Sequence, residues 1–173
     1  MSPFNKYRLV WILSAVTALV AEANHCCCPT LRQLAHMNEC ELEQLFACAP
    51  AGCCPVGHCR GRVLQLTCTR MPRFRACLTS SVWRGKNLEE DGTFVNQWIC
   101  GRALRSQACM GTSWFDCQPC IVVEYPLHTP VFGKTRDELR EICPGLYLAR
   151  LYDRCPCPKF RGYFAIQLEC CEN

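Results

Sequence analysis

Apolar positions recur with a helical period over residues 30–49, where Leu31, Leu34, Ala35, Leu42, Leu45 and Phe46 fall on one face. Asn38 falls on that face too, so the stretch reads as one helix or as two short helices meeting there. Thr30 is placed to cap its start, and Pro50 followed by Gly52 ends it. Residues 51–61 form a turn-rich loop. Alternation then takes over. Residues 62–70 predict a strand, and residues 73–83, with Phe74, Ala76 and Leu78 alternating with Arg73, Arg75 and Cys77, predict a second. Asp91-Gly92 signals a turn before a strand at 93–100, and the β-branched run within 117–125 predicts a buried strand. Thr135-Arg136-Asp137-Glu138 has capping-box form and predicts a short helix to about Cys143, with Leu139 and Ile142 inward. Residues 146–152 and 160–170 close the chain as strands. The economical sum is an α+β class: a small disulfide-rich fold with two short helical segments and several antiparallel strands.

The first residues bear on compartment. Lys6 and Arg8 precede an uncharged stretch at 9–20, and Ala21-Glu22-Ala23 supplies a small-x-small cleavage pattern. This predicts a signal peptide over 1–23 and a secreted, extracellular product. The apolar run is too short for a spanning helix, so no integral membrane segment is expected after cleavage. Residues 24–173 read as a single cysteine-rich domain, with a sub-boundary conceivable near 85–91.

Composition strengthens the secreted reading. The 173 residues include 19 cysteines, above the roughly 8–10% that marks a disulfide scaffold. All lie after residue 23: Cys26, Cys27, Cys28, Cys40, Cys48, Cys53, Cys54, Cys59, Cys68, Cys77, Cys100, Cys109, Cys117, Cys120, Cys143, Cys155, Cys157, Cys170 and Cys171. In an oxidising compartment these are disulfide candidates, with a pairing that the sequence leaves open. An odd count leaves one thiol for a free state or for a disulfide-linked dimer.

Net charge is +4, but it is uneven. Arg60, Arg62, Arg70, Arg73, Arg75 and Arg84 fall in a segment without one acid. Such a stripe is a candidate contact for an anionic glycan or an acidic face of an extracellular protein, set against the plainer reading of a solvated strand face. Nothing in the pattern points to nucleic acid.

Tests for site chemistry return little. Cys117-x-x-Cys120 and Cys155-x-Cys157 have zinc-like spacing. Export favours disulfides over metal, so no metal and no cofactor is expected. A secreted-phospholipase reading of residues 53–59 fails because Cys59 stands where a metal-binding Asp is needed. Gly133-Lys134-Thr135 lacks the glycine cradle of a phosphate loop, and there is no G-x-S-x-G or H-E-x-x-H. No catalytic residue is singled out. The resulting expectation is a secreted interaction protein that binds an extracellular partner through a rigid surface, as an effector, a ligand-like factor or a coat component. The alternatives are an extracellular hydrolase with a sequence-distant site, or a zinc-binding protein if the leader is not used.

Overall fold

The computed structural model describes residues 28–67, 70–129 and 132–169. The predicted signal peptide and Cys26, Cys27, Cys68, Cys170 and Cys171 lie outside the described residues. The chain folds as α1 (Leu31–Leu34), α2 (Glu39–Cys48), β1 (Gly57–Leu66), α3 (Pro72–Val82), β2 (Trp83–Leu88), β3 (Thr93–Trp98) and β4 (Gly101–Thr112). It continues through β5 (Pro119–Glu124), β6 (Thr135–Cys143), β7 (Leu146–Asp153) and β8 (Lys159–Leu168). Each strand pairs antiparallel with the next, and β8 pairs back to β1, so the sheet closes as an eight-stranded barrel.

This overturns the predicted class. The fold is a closed antiparallel barrel and not a small disulfide-rich α+β fold. Among the described residues one bridge forms, Cys28–Cys143, while twelve cysteines stand unbridged. Closure supplies what staples were expected to supply: it removes sheet edges and encloses an apolar interior.

Two clusters hold the molecule together. Inside the barrel, Leu88, Phe94, Ile121, Val123, Leu139, Ala149 and Ile166 pack together. Outside, Leu34, Leu42 and Phe46 of the N-terminal helices cover Leu64, Leu146, Leu148 and Ala165. The helices begin as the sequence implies. Thr30 accepts from the Gln33 amide and Asn38 from the Glu41 amide, each in a reciprocal capping box, so the expected helix is two helices broken at Asn38.

Two elements change type. Residues 73–83 belong to helix α3 rather than to a strand, and residues 135–143 form strand β6 rather than a helix. In α3, Pro72 opens the first turn with a preset φ. Its outward face is apolar, with Phe74 and Leu78 each 62% exposed, so the helix carries no clean burial stripe. In β6 two flanking strands take up the backbone hydrogen bonds, and this outweighs a local capping signal. Residues 85–91, where a sub-boundary was conceivable, fall in β2 and the turn that follows. No helix of the described residues is long and apolar enough to cross a membrane.

Candidate functional site

A cavity of about 110 Å³ lies at one end of the barrel. Strand direction locates it. Its walls come from the later residues of β1, β3 and β7, the first of β2 and β6 and the middle of β8, including Val63, Trp98, Leu151, Trp83, Thr135 and Phe164. The opposite end is filled by Cys59, Leu88, Phe94, Tyr147 and Ile166. Helix α3, which connects β1 to β2, contributes Thr79 to the wall, and Phe132 reaches it from the β5–β6 connection.

The floor of the cavity is polar and fully buried. Lys86 on β2 and Asp137 on β6 stand four strands apart in a ring of eight, so their contact spans the lumen. Lys86 Nζ lies 2.6 Å from Asp137 Oδ2 and donates to the Tyr125 hydroxyl at 2.7 Å. Asn96 Nδ2 donates to the same hydroxyl at 2.7 Å, and Trp83 Nε1 donates to Asn96 Oδ1 at 3.0 Å. The ammonium also sits 5.2–5.7 Å from the ring centres of Tyr125, Phe164 and Phe94.

One atom in this network is left over. Asp137 Oδ1 is buried and has no hydrogen-bond partner among the described residues. Burial pushes the Asp137 carboxyl above its usual range, and Lys86 pulls it only partly back. For Lys86 burial works downward, but Asp137 and Tyr125 more than reverse it and hold the ammonium above an ordinary lysine. These two shifts favour opposite proton positions in the pair. We take the pair as ammonium and carboxylate, because Lys86 has two oxygen partners and an aromatic surround that all favour its charge.

A second set of buried charges lies outside the barrel wall and serves architecture. Arg136 reaches Glu138 at 2.9 Å and Glu124 at 3.1 Å, under the ring of Trp114. Arg140 grips both oxygens of Asp116, at 2.6 and 2.7 Å, and donates to the Phe46 carbonyl at 3.0 Å. Hydrogen bonding from Arg140 holds the Asp116 carboxyl below its ordinary value despite partial burial. Arg150 stacks 4.0 Å from Phe115 and 4.4 Å from Phe160. These contacts fasten α2 and the β4–β5 connection over β6 and β7.

The sequence-predicted residues divide. Arg60, Arg62 and Arg84 line a common groove on the outer wall, with Arg32 joining them from α1. Arg70 and Arg75 are exposed around α3, and Arg73 donates to the carbonyls of His36 and Met37. His58 is a strand residue of β1, 3.2 Å from Glu169. Among the cysteines, Cys59 and Cys120 are buried with thiols pushed up to about 11 and about 12, chiefly by burial. Among the described residues no group of three His, Cys, Asp or Glu converges in a way that could hold a metal ion. Sequence reading did not find Lys86, Asn96, Tyr125 or Asp137. An alternation count that scored Lys86 and Asp137 as polar had no means to place them inside.

Compared with protein-family models and with curated protein sequences, the chain matches none. Its fold does match that in the crystal structure of a protein from Thermomonospora curvata, with a TM-score of 0.54 over 78% of this chain and 89% of that one. At 12% sequence identity this likeness establishes the barrel architecture and nothing further.

Proposed function

We propose that the protein is a binding barrel whose lumen takes up a small, mostly apolar molecule carrying one hydrogen-bond donor. The observation that carries this reading is the unpartnered, buried Asp137 Oδ1 beside an apolar cavity. An eight-stranded barrel is just wide enough either to fill with side chains or to hold one small ligand. Here one end is filled and the other is left open.

Size and chemistry narrow the class. A dry cavity of about 150 Å³ accepts benzene. The 110 Å³ available here suits a molecule somewhat smaller than that, or a ring of similar size with a slight shift of α3 or Phe132. The donor is an alcohol, a phenol or an ammonium group, since the waiting atom is a carboxylate oxygen. A buried acceptor left without a donor costs about 1–3 kcal/mol, which the right ligand recovers. The sequence pattern of a leader over residues 1–23 supports action outside the cell, so we infer that this binding serves an extracellular carrier or sensor.

Trp83 and Trp98 line the cavity and report on it directly. Titration with phenol, benzyl alcohol and toluene, followed by tryptophan emission and by Tm, tests the reading. Phenol and benzyl alcohol are expected to bind about tenfold more tightly than toluene. Leu151→Phe, which fills the cavity, is expected to abolish binding by all three. No response to any of them in the folded protein would remove the binding reading. Equal affinity for toluene would remove the role given to Asp137.

A further inference from the structure

The outer wall of the barrel carries a second feature, whose lining shares Trp83 with the cavity in the lumen. Arg60 and Arg62 lie on β1, Arg84 follows at the start of β2, and Arg32 comes from α1. All four line one groove of about 740 Å³. Strand register explains the convergence. Arg60 pairs with Gly85 on one side and Gln167 on the other. Cys59 and Lys86 point into the barrel, so Arg60 and the bulged Arg84 point out. Gly85, at a φ of 141°, lets β2 lie close against β1, since a Cβ there would meet the Cys59 carbonyl oxygen.

Charge is unbalanced there. Every guanidinium packed on β6, β7 or β8, from Arg136 to Arg161, has a carboxylate within 3.4 Å. None of the four groove arginines forms an ion pair among the described residues. The one described acid lining the groove is Glu169, and it faces His58 at 3.2 Å. Gln97 and Gln167 add neutral amides to the same surface, and Gln97 holds the other ring nitrogen of His58 at 2.6 Å.

We propose that this groove binds a sulfated oligosaccharide. Planar guanidiniums match sulfate oxygens in pairs, and side-chain amides serve the sugar hydroxyls. A groove of this volume lies within the range of small-ligand sites, about 300–1,000 Å³. Nucleic acid is disfavoured because the groove offers no row of exposed rings on which bases could stack. The site uses half of the basic stripe, Arg60, Arg62 and Arg84, together with Arg32 from elsewhere in the chain. Arg70, Arg73 and Arg75 are not part of it.

The test is calorimetric titration with a heparin-derived hexasaccharide and with its desulfated counterpart. Saturable binding of the sulfated form is expected, weakening as salt is raised, with the desulfated form at least tenfold weaker. Arg60→Ser and Arg84→Ser are each expected to weaken it about five- to tenfold. Arg70→Ser and Arg75→Ser remove equal charge outside the groove and are expected to leave it within twofold. Absence of binding, equal affinity for the desulfated form, or an equal loss in the control variants each overturns the proposal. Hydrogen exchange on the unmodified protein gives a readout that needs no variant. Protection on binding is expected in β1, β2 and the end of β8, and protection elsewhere would overturn the assignment.

Discussion

Lys86 and Asp137 show what a single buried pair demands. Both are about 2% exposed, and each is the main compensation for the other's charge. Lys86→Met therefore leaves a carboxylate uncompensated in the lumen, and a loss of about 3–5 kcal/mol in urea unfolding is expected. The double variant Lys86→Met/Asp137→Leu is expected to recover most of that loss, since an apolar pair of similar size needs no compensation. Asp116 gives a prediction about pH. Its carboxyl is held below the ordinary value of 3.8 by Arg140, so the folded state favours the charged form. The stability it adds is fully present above that ordinary value and is lost as pH falls through the lower folded value. Asp116→Asn is expected to flatten the acid limb of a stability–pH profile and to leave the neutral region lower by a constant amount.

Among the elements, α3 and β6 show local and global preferences in conflict. Residues 73–78 alternate by type as a strand does, yet Pro72 and the packing of the segment on β1, with Ala76 buried, make a helix. Residues 135–138 carry a cap signal, yet pairing on both sides makes a strand. In β6 the residues do alternate: Thr135, Asp137 and Leu139 face the lumen, while Arg136, Glu138 and Arg140 face the covering loops. That pattern was hidden because both faces contain charges, and neither resembles a solvated face. Strands β2 and β4 went unpredicted for related reasons. β2 is short and carries Gly85 and Lys86, while β4 contains Leu104 at a φ of 65° beside a bulge. Helix α3 is tied to β1 by Ser80, whose hydroxyl accepts from the Val63 amide at 2.8 Å and donates to the Val63 carbonyl at 3.1 Å. Ser80→Ala is expected to cost about 1–3 kcal/mol and to raise hydrogen exchange across α3. Because α3 lines the ligand end through Thr79, the same variant is expected to speed ligand release in stopped-flow fluorescence.

The whole molecule depends on long-range closure. β1 and β8 meet across the full barrel, and the Cys28–Cys143 bridge ties the N-terminal helices to the end of β6 over 115 residues of sequence. A loop of that length predicts up to about 4–5 kcal/mol from restriction of the unfolded chain. Cys28→Ser/Cys143→Ser is therefore expected to lower stability by about 2–5 kcal/mol in urea unfolding while the barrel itself persists. A fold that collapsed entirely without this bridge would restore the view that staples, and not the core, hold it. Cys59 and Cys120 give an independent check of the core. Both are buried and their thiols are raised, so they are expected to resist alkylation at pH 8 until denaturant is added.

Read alone, the sequence determined the features that local chemistry settles. The cap at Thr30, the stop at Pro50, the turn at Asp91-Gly92, the β-branched core of β5 and the two closing strands are all legible, because each rests on neighbours a few residues apart, while the choice between one helix and two at Asn38 was left to the structure. The arginine-rich, acid-free segment is legible too, as is the high cysteine content. What only the tertiary structure decided is which polar residues turn inward, which arginines meet and whether the sheet closes. Lys86 and Asp137 lie 51 positions apart, and Arg32 lies 52 positions from Arg84. No periodicity connects such pairs. Only a register running around eight strands brings them together, and the free energy of closing that ring, not any local propensity, selects it.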